Sequence, residues 1–85
     1  MKFGTLHIKL PDGKTRDYPL DQPSVSVGRA QGNDLIIEDT SVSRRHARLS
    51  VESGKLLIED LGSANGTFIG SQRLAANTSS LVPEN

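Results

Sequence analysis

Ala47-Arg48-Leu49-Ser50-Val51-Glu52-Ser53-Gly54-Lys55-Leu56-Leu57-Ile58 is the segment that decides the fold class. Ala47, Leu49 and Val51 alternate with Arg48 and Ser50, the period of two that gives a strand one buried face. Ser53-Gly54 turns the chain, and Leu56-Leu57-Ile58 follows as an apolar return. The same grammar extends outward on both sides. Leu6, Ile8 and Leu10 alternate with His7 and Lys9, and Pro11-Asp12-Gly13 reads as a tight turn. There Pro presets its own φ and Gly accepts a positive one. Residues 14–19 return as a more polar strand before Asp21-Gln22-Pro23 breaks the pattern. Val25 and Val27 alternate with Ser24 and Ser26 up to Gly28-Arg29, and Leu35-Ile36-Ile37 is an apolar burst too short for a helix. Phe68-Ile69, Gly70-Ser71 and Arg73-Leu74 predict a last hairpin, its two-residue turn having Gly in the first central position. Gly or Pro interrupts every segment long enough to hold an amphipathic helix. The expectation is an all-β sandwich or barrel. Residues 75–85 read as a weakly patterned polar tail, apart from Leu81-Val82 before Pro83.

Length and composition narrow the function. The 85 residues leave room for one small domain over 1–85. With no cysteine there are no disulfides or thiolate metal sites, and His7 and His46 have no ligand spacing, so no metal and no cofactor are expected. Ten basic residues balance ten acidic ones. A nucleic-acid binder needs a basic excess to displace counterions, so nucleic acid is not an expected partner. Phe3, Tyr18 and Phe68 are too few aromatics for a base-stacking platform. No apolar run approaches the ~20 residues of a membrane span, and Met1-Lys2-Phe3-Gly4 does not open a signal peptide. The expectation is a soluble cytoplasmic domain with no membrane partner.

Three loops, each following an expected strand, carry the candidate chemistry. The first runs from Arg29 to Asp34, the second from Glu38 to His46, and the third from Gly62 to Thr67. Arg29 offers a planar fork of donors suited to phosphate or carboxylate oxygens, although alone it reads equally as a solvated surface arginine. Ser41, Ser43, Arg44 and Arg45 bring hydroxyl, backbone and guanidinium donors into one turn, an anion-binding concavity. His46 abuts the apolar strand at Ala47 and reads as a hydrogen-bonded brace for the loop. Asn65-Gly66 is a turn signal set among small residues that let another backbone approach closely.

In combination and order these loops resemble the forkhead-associated (FHA) domain family. The family's Gly-Arg, Ser-x-x-His and Asn-Gly elements correspond to Gly28-Arg29, Ser43-Arg44-Arg45-His46 and Asn65-Gly66-Thr67. Asn33-Asp34-Leu35 and Asp60-Leu61-Gly62-Ser63-Ala64 also look like the family's flanking text, over about residues 25 to 74. The resemblance implies a small antiparallel β-sandwich whose end loops bind a phosphothreonine-containing protein or peptide in Ser/Thr-kinase signalling. It implies that Arg29 and Ser43 contact the phosphate with Arg44 beside them. It puts Asn65 on the peptide main chain, with Ala64 and Asn33 close to the peptide, while Gly28, His46 and Gly66 shape the loops. The family usually has a polar residue where Ala64 stands, and its fold usually continues through further strands beyond Leu81-Val82. An uncovered sheet edge there implies dimerisation or strand exchange.

Two other readings compete. A hydrolase would need Ser43, His46 and an acid such as Asp39 or Asp60, but Ser43 and His46 are three apart in one loop and no G-x-S-x-G elbow is present. No P-loop frame follows Gly28 either, so the expectation is not an enzyme. A phosphate-independent interaction or oligomerisation domain on the same fold is the alternative. It has no use for Arg29, Ser43 and Asn65 together.

Overall fold

The computed structural model describes residues 4–10 and 13–82; Pro11 and Asp12 of the expected first turn, and Pro83, lie outside them. The strands are β1 (Gly4–Lys9), β2 (Thr15–Leu20), β3 (Ser24–Gly28), β4 (Leu35–Ile36), β5 (Ala47–Glu52), β6 (Lys55–Asp60), β7 (Phe68–Ile69), β8 (Gln72–Arg73) and β9 (Ser79–Leu81). The fold is all-β, as the alternation requires.

The main sheet has five strands in the order β4-β3-β5-β6-β9. Val25 and Val27 of β3 and Ala47 and Leu49 of β5 turn inward, while Arg48 and Glu52 face solvent. The β1–β2 hairpin is the second layer. It lays Leu6, Ile8, Leu10 and Tyr18 on a core of Leu20, Val25, Val27, Leu35, Ile37, Val42, Ala47 and Leu49. Leu35 is 1% exposed, so truncating it to alanine would cost about 2–5 kcal/mol. Arg16 stitches the layers together by donating from Nη1 to the Ile36 carbonyl at 3.0 Å.

The turns follow from local chemistry. Ser53 and Gly54 both adopt positive φ (53° and 74°), joining β5 to β6 in the twist that suits a two-residue hairpin. Gly70 (φ 61°) opens the β7–β8 turn, with Ile69 paired to Gln72.

Two features were not evident from residue pattern. β4 runs parallel to β3, with Val27 opposite Leu35, because residues 29–34 loop back and return the chain beside its own strand. Within the expected tail, Ser79–Leu81 forms β9 and pairs with Leu57–Glu59 of β6.

β5 runs antiparallel to both β3 and β6, so the end of β3, the start of β5 and the end of β6 fall at one edge of the sheet. The three chemistry-bearing loops leave from that edge and are therefore neighbours.

Candidate functional site

The loops are joined by backbone and side-chain bonds rather than merely placed side by side. Arg29 N–H donates to the Ser43 carbonyl at 3.0 Å and Ala30 N–H to the Arg44 carbonyl at 3.3 Å. Asn33 Nδ2 donates to both the Ala30 carbonyl (2.8 Å) and the Arg44 carbonyl (2.9 Å). Its amide nitrogen is thereby spent inside the scaffold, and Oδ1 has no partner among the described residues. Gly28 lies under this crossing. A Cβ at Gly28 would stand 2.1 Å from the Arg44 carbonyl oxygen, so the position demands glycine for space, not for backbone conformation.

Arg29 is exposed, and its Nε donates to the Val42 carbonyl at 3.1 Å. That bond aims the side chain and leaves both terminal nitrogens without an acceptor among the described residues. Ser43 Oγ accepts the Ala64 backbone N–H at 3.0 Å. A hydroxyl that accepts one bond keeps its own proton to donate. Arg44 is exposed next to it. The arrangement thus offers a hydroxyl donor and a guanidinium fork to an anion, at a rim where Ala64 contributes backbone and a methyl group.

His46 spans two loops. The Ser43 backbone N–H reaches its Nδ1 at 3.1 Å, and its Nε2 lies 2.8 Å from the Gly66 carbonyl. An N–H can only donate, so Nδ1 is bare and Nε2 carries the proton. Both ring nitrogens are therefore engaged with backbone, and neither touches the Ser43 hydroxyl. Asn65 Nδ2 donates to the Ser41 carbonyl at 2.7 Å, which ties the third loop to the second and leaves Oδ1 and one N–H without a partner among the described residues. Gly66 has φ 87° and carries the Arg73 side chain against its Cα, where a Cβ would lie 2.6 Å from Nε.

Beneath the rim is a support whose bracing role the sequence motifs did not assign. Asp60, 3% exposed, accepts Ser63 Oγ and Thr67 Oγ1 on one oxygen and the Gly62 and Ser63 backbone N–H groups on the other. Burial disfavours its charge. The hydrogen bonds from Ser63, Thr67 and the two amides outweigh burial and hold the carboxyl below its ordinary value. Asp39 performs a smaller version of the task. The Ser41 hydroxyl and then the Ser41 amide lower its pKa and set the turn whose Val42 carbonyl receives Arg29. The local signal for both was an Asp followed two or three residues later by Ser, the spacing of an Asx turn.

Comparison with known proteins places this geometry. Over 52 residues the chain is 44% identical to the glycogen accumulation regulator GarA of Mycolicibacterium smegmatis, covering 61% of this chain and 33% of that protein. The chain therefore spans about a third of this curated relative's length. The solved structure of Mycobacterium tuberculosis EmbR in complex with a low-affinity phosphopeptide superposes with a TM-score of 0.75 at 26% identity, over 95% of this chain and 21% of that one. A structure from a study of phosphothreonine-dependent FHA domain interactions superposes at 0.72 with 30% identity, over 93% of this chain and 79% of that one. The sequence pattern of the FHA domain matches residues 25–84, from the start of β3 to beyond β9, and the chain belongs to the FHA domain family.

Proposed function

We propose that residues 1–85 act as one phosphothreonine-dependent binding module for a protein or peptide in Ser/Thr-kinase signalling. The observation that carries this reading is the pair of spare donors at one rim. Among the described residues the Ser43 hydroxyl, whose oxygen accepts Ala64 N–H, has no acceptor for its proton, and the Arg29 fork has none beyond its Nε. In this reading both groups take the phosphate, with Arg44 adjacent. Asn65 bonds the peptide main chain through its unspent Oδ1 and N–H, and Ala64 and Asn33 flank it. Gly28, His46 and Gly66 hold the loops without contacting the ligand.

A phosphothreonine carries about −1.5 to −2 charges at neutral pH and three acceptor oxygens. Hydrogen bonds to a charged group contribute about 1.5–3 kcal/mol each, and ordering an extended peptide offsets much of that sum. The result is an affinity on the order of 1 μM, or about −8 kcal/mol. Isothermal titration of matched phosphothreonine, phosphoserine and unphosphorylated peptides tests the reading. Phosphate-dependent binding is expected, and indifference to the phosphate would overturn it.

A second reading, phosphate-independent association through a sheet edge, draws on Leu81, which is 56% exposed on the edge strand β9. It expects a dimer by light scattering, dispersed by Leu81→Lys.

A further inference from the structure

Beside the phosphate rim lies a cleft of about 290 Å³. Its walls are Ala30, Gln31, Gly32 and Asn33 from the first loop and Arg44 and Arg45 from the second, and Ser26 also lines it. It is contiguous with the phosphate donors, since Ala30 follows Arg29 and Arg44 follows Ser43 in the chain. Both wall arginines are exposed, and among the described residues neither has a carboxylate partner. The nearest acid in the chain to these walls, Asp34, makes no ion pair with either arginine and has one carboxylate oxygen turned to Ser26. Its Oδ2 accepts the Ser26 backbone N–H at 2.9 Å and pairs with Ser26 Oγ at 3.2 Å. The Gln31 and Gly32 backbone N–H groups, at the turn bordering the cleft, meet no acceptor among the described residues. A concave surface with two unpaired guanidinium groups and spare amides, in a chain of zero formal net charge, suits an anionic group.

We infer that this cleft selects an acidic side chain, aspartate or glutamate, flanking the phosphothreonine in the same peptide, and that Arg45 is the residue that reads it. This rests on the phosphopeptide reading of the adjacent rim. Arg45 stands two residues from Ser43, at most about 7 Å along the chain. At about 3.3 Å per extended residue, the acidic side chain falls within about three positions of the phosphothreonine. Arg45 makes no hydrogen bond among the described residues, so changing it leaves the loop braces in place.

The test uses labelled phosphothreonine peptides in an alanine background, with glutamate or lysine placed singly at each of the three positions on either side. Binding is followed by fluorescence anisotropy at low and high salt. For the wild-type chain one or two positions should favour glutamate over lysine by about fivefold, and the difference should shrink as salt rises. Arg45→Glu should reverse that preference at the same positions while keeping phosphate-dependent binding. Phosphate-dependent binding that ignores flanking charge, or a glutamate preference that survives Arg45→Glu, overturns this inference alone. Failure of every phosphothreonine peptide to bind the wild-type chain overturns the phosphopeptide reading and this inference with it.

Discussion

Replacing Gly28 with alanine adds one methyl group, yet it should pry apart the two loops that present Arg29 and Ser43. The new Cβ would sit 2.1 Å from the Arg44 carbonyl oxygen, 2.9 Å from its carbon and 2.8 Å from Asn33 Nδ2. Ordinary contact begins near 3.4 Å, so the loops must separate by more than about 1 Å. That movement breaks the bonds from Asn33 Nδ2 (2.9 Å) and Ala30 N–H (3.3 Å) to the Arg44 carbonyl. Two lost hydrogen bonds at about 1 kcal/mol each, with about 1–3 kcal/mol for overpacking, give roughly 3–5 kcal/mol. In a domain of this size that lowers Tm by at least about 12 °C. Gly32→Ala is the control. Its φ of 97° is a strained conformation for alanine, but among the described residues no atom beyond its chain neighbours lies within 4 Å of its Cβ, so it should cost only about 1–2 kcal/mol. Urea denaturation of both variants, with phosphopeptide titration of the folded fraction, reads the two effects. The reasoning fails if Gly28→Ala is the milder substitution, or if it binds phosphopeptide as the wild type does.

Three further substitutions probe other parts of the scaffold. Asp60→Asn replaces an acceptor of four hydrogen bonds with a group that must turn a donor toward donors, and should cost about 2–4 kcal/mol by chemical denaturation. Because the Asp60 pKa is lowered in the fold, its contribution is full above the ordinary carboxylate value and is lost as pH falls below it toward the depressed one. Stability measured between about pH 5 and pH 2 should therefore fall more steeply in the wild type than in Asp60→Asn. His46→Ala removes the bonds to Ser43 N–H and the Gly66 carbonyl, and should lower stability by about 2 kcal/mol and weaken phosphopeptide binding as the loops loosen. Ser53→Asn should stabilise by about 0.5–1 kcal/mol, since Ser53 holds φ 53° and asparagine tolerates that region better in a turn followed by Gly54.

What the residue pattern disclosed, and what it hid, divides by range of interaction. The β5–β6 and β7–β8 hairpins were legible because alternation and positive-φ turn residues are local properties. β4 was legible as an apolar burst but its parallel pairing was not, since two residues carry no information about their neighbour. β9 is held through main-chain pairing to β6, and Ser79-Ser80-Leu81 has no alternation to announce it. The site divides in the same way. The motif residues Arg29, Ser43, His46 and Asn65 were visible by type and spacing. The braces between them were not, because Asn33 to Arg44 and Asn65 to Ser41 join loops separated in the chain. The reason for glycine at position 28 lies sixteen residues away, in the carbonyl of Arg44.

The central claim is that the Arg29 fork and the Ser43 hydroxyl together recognise a phosphate. The direct measurement is anisotropy of one labelled peptide, with and without the phosphate on its threonine, titrated with the wild type, Arg29→Ala and Ser43→Ala. The account predicts binding on the order of 1 μM for the phosphorylated peptide and the wild-type chain. It predicts a loss of at least about tenfold in each variant, whose folded CD spectrum is retained. Equal binding of the phosphorylated and unphosphorylated peptides, or undiminished binding by both variants, would contradict it.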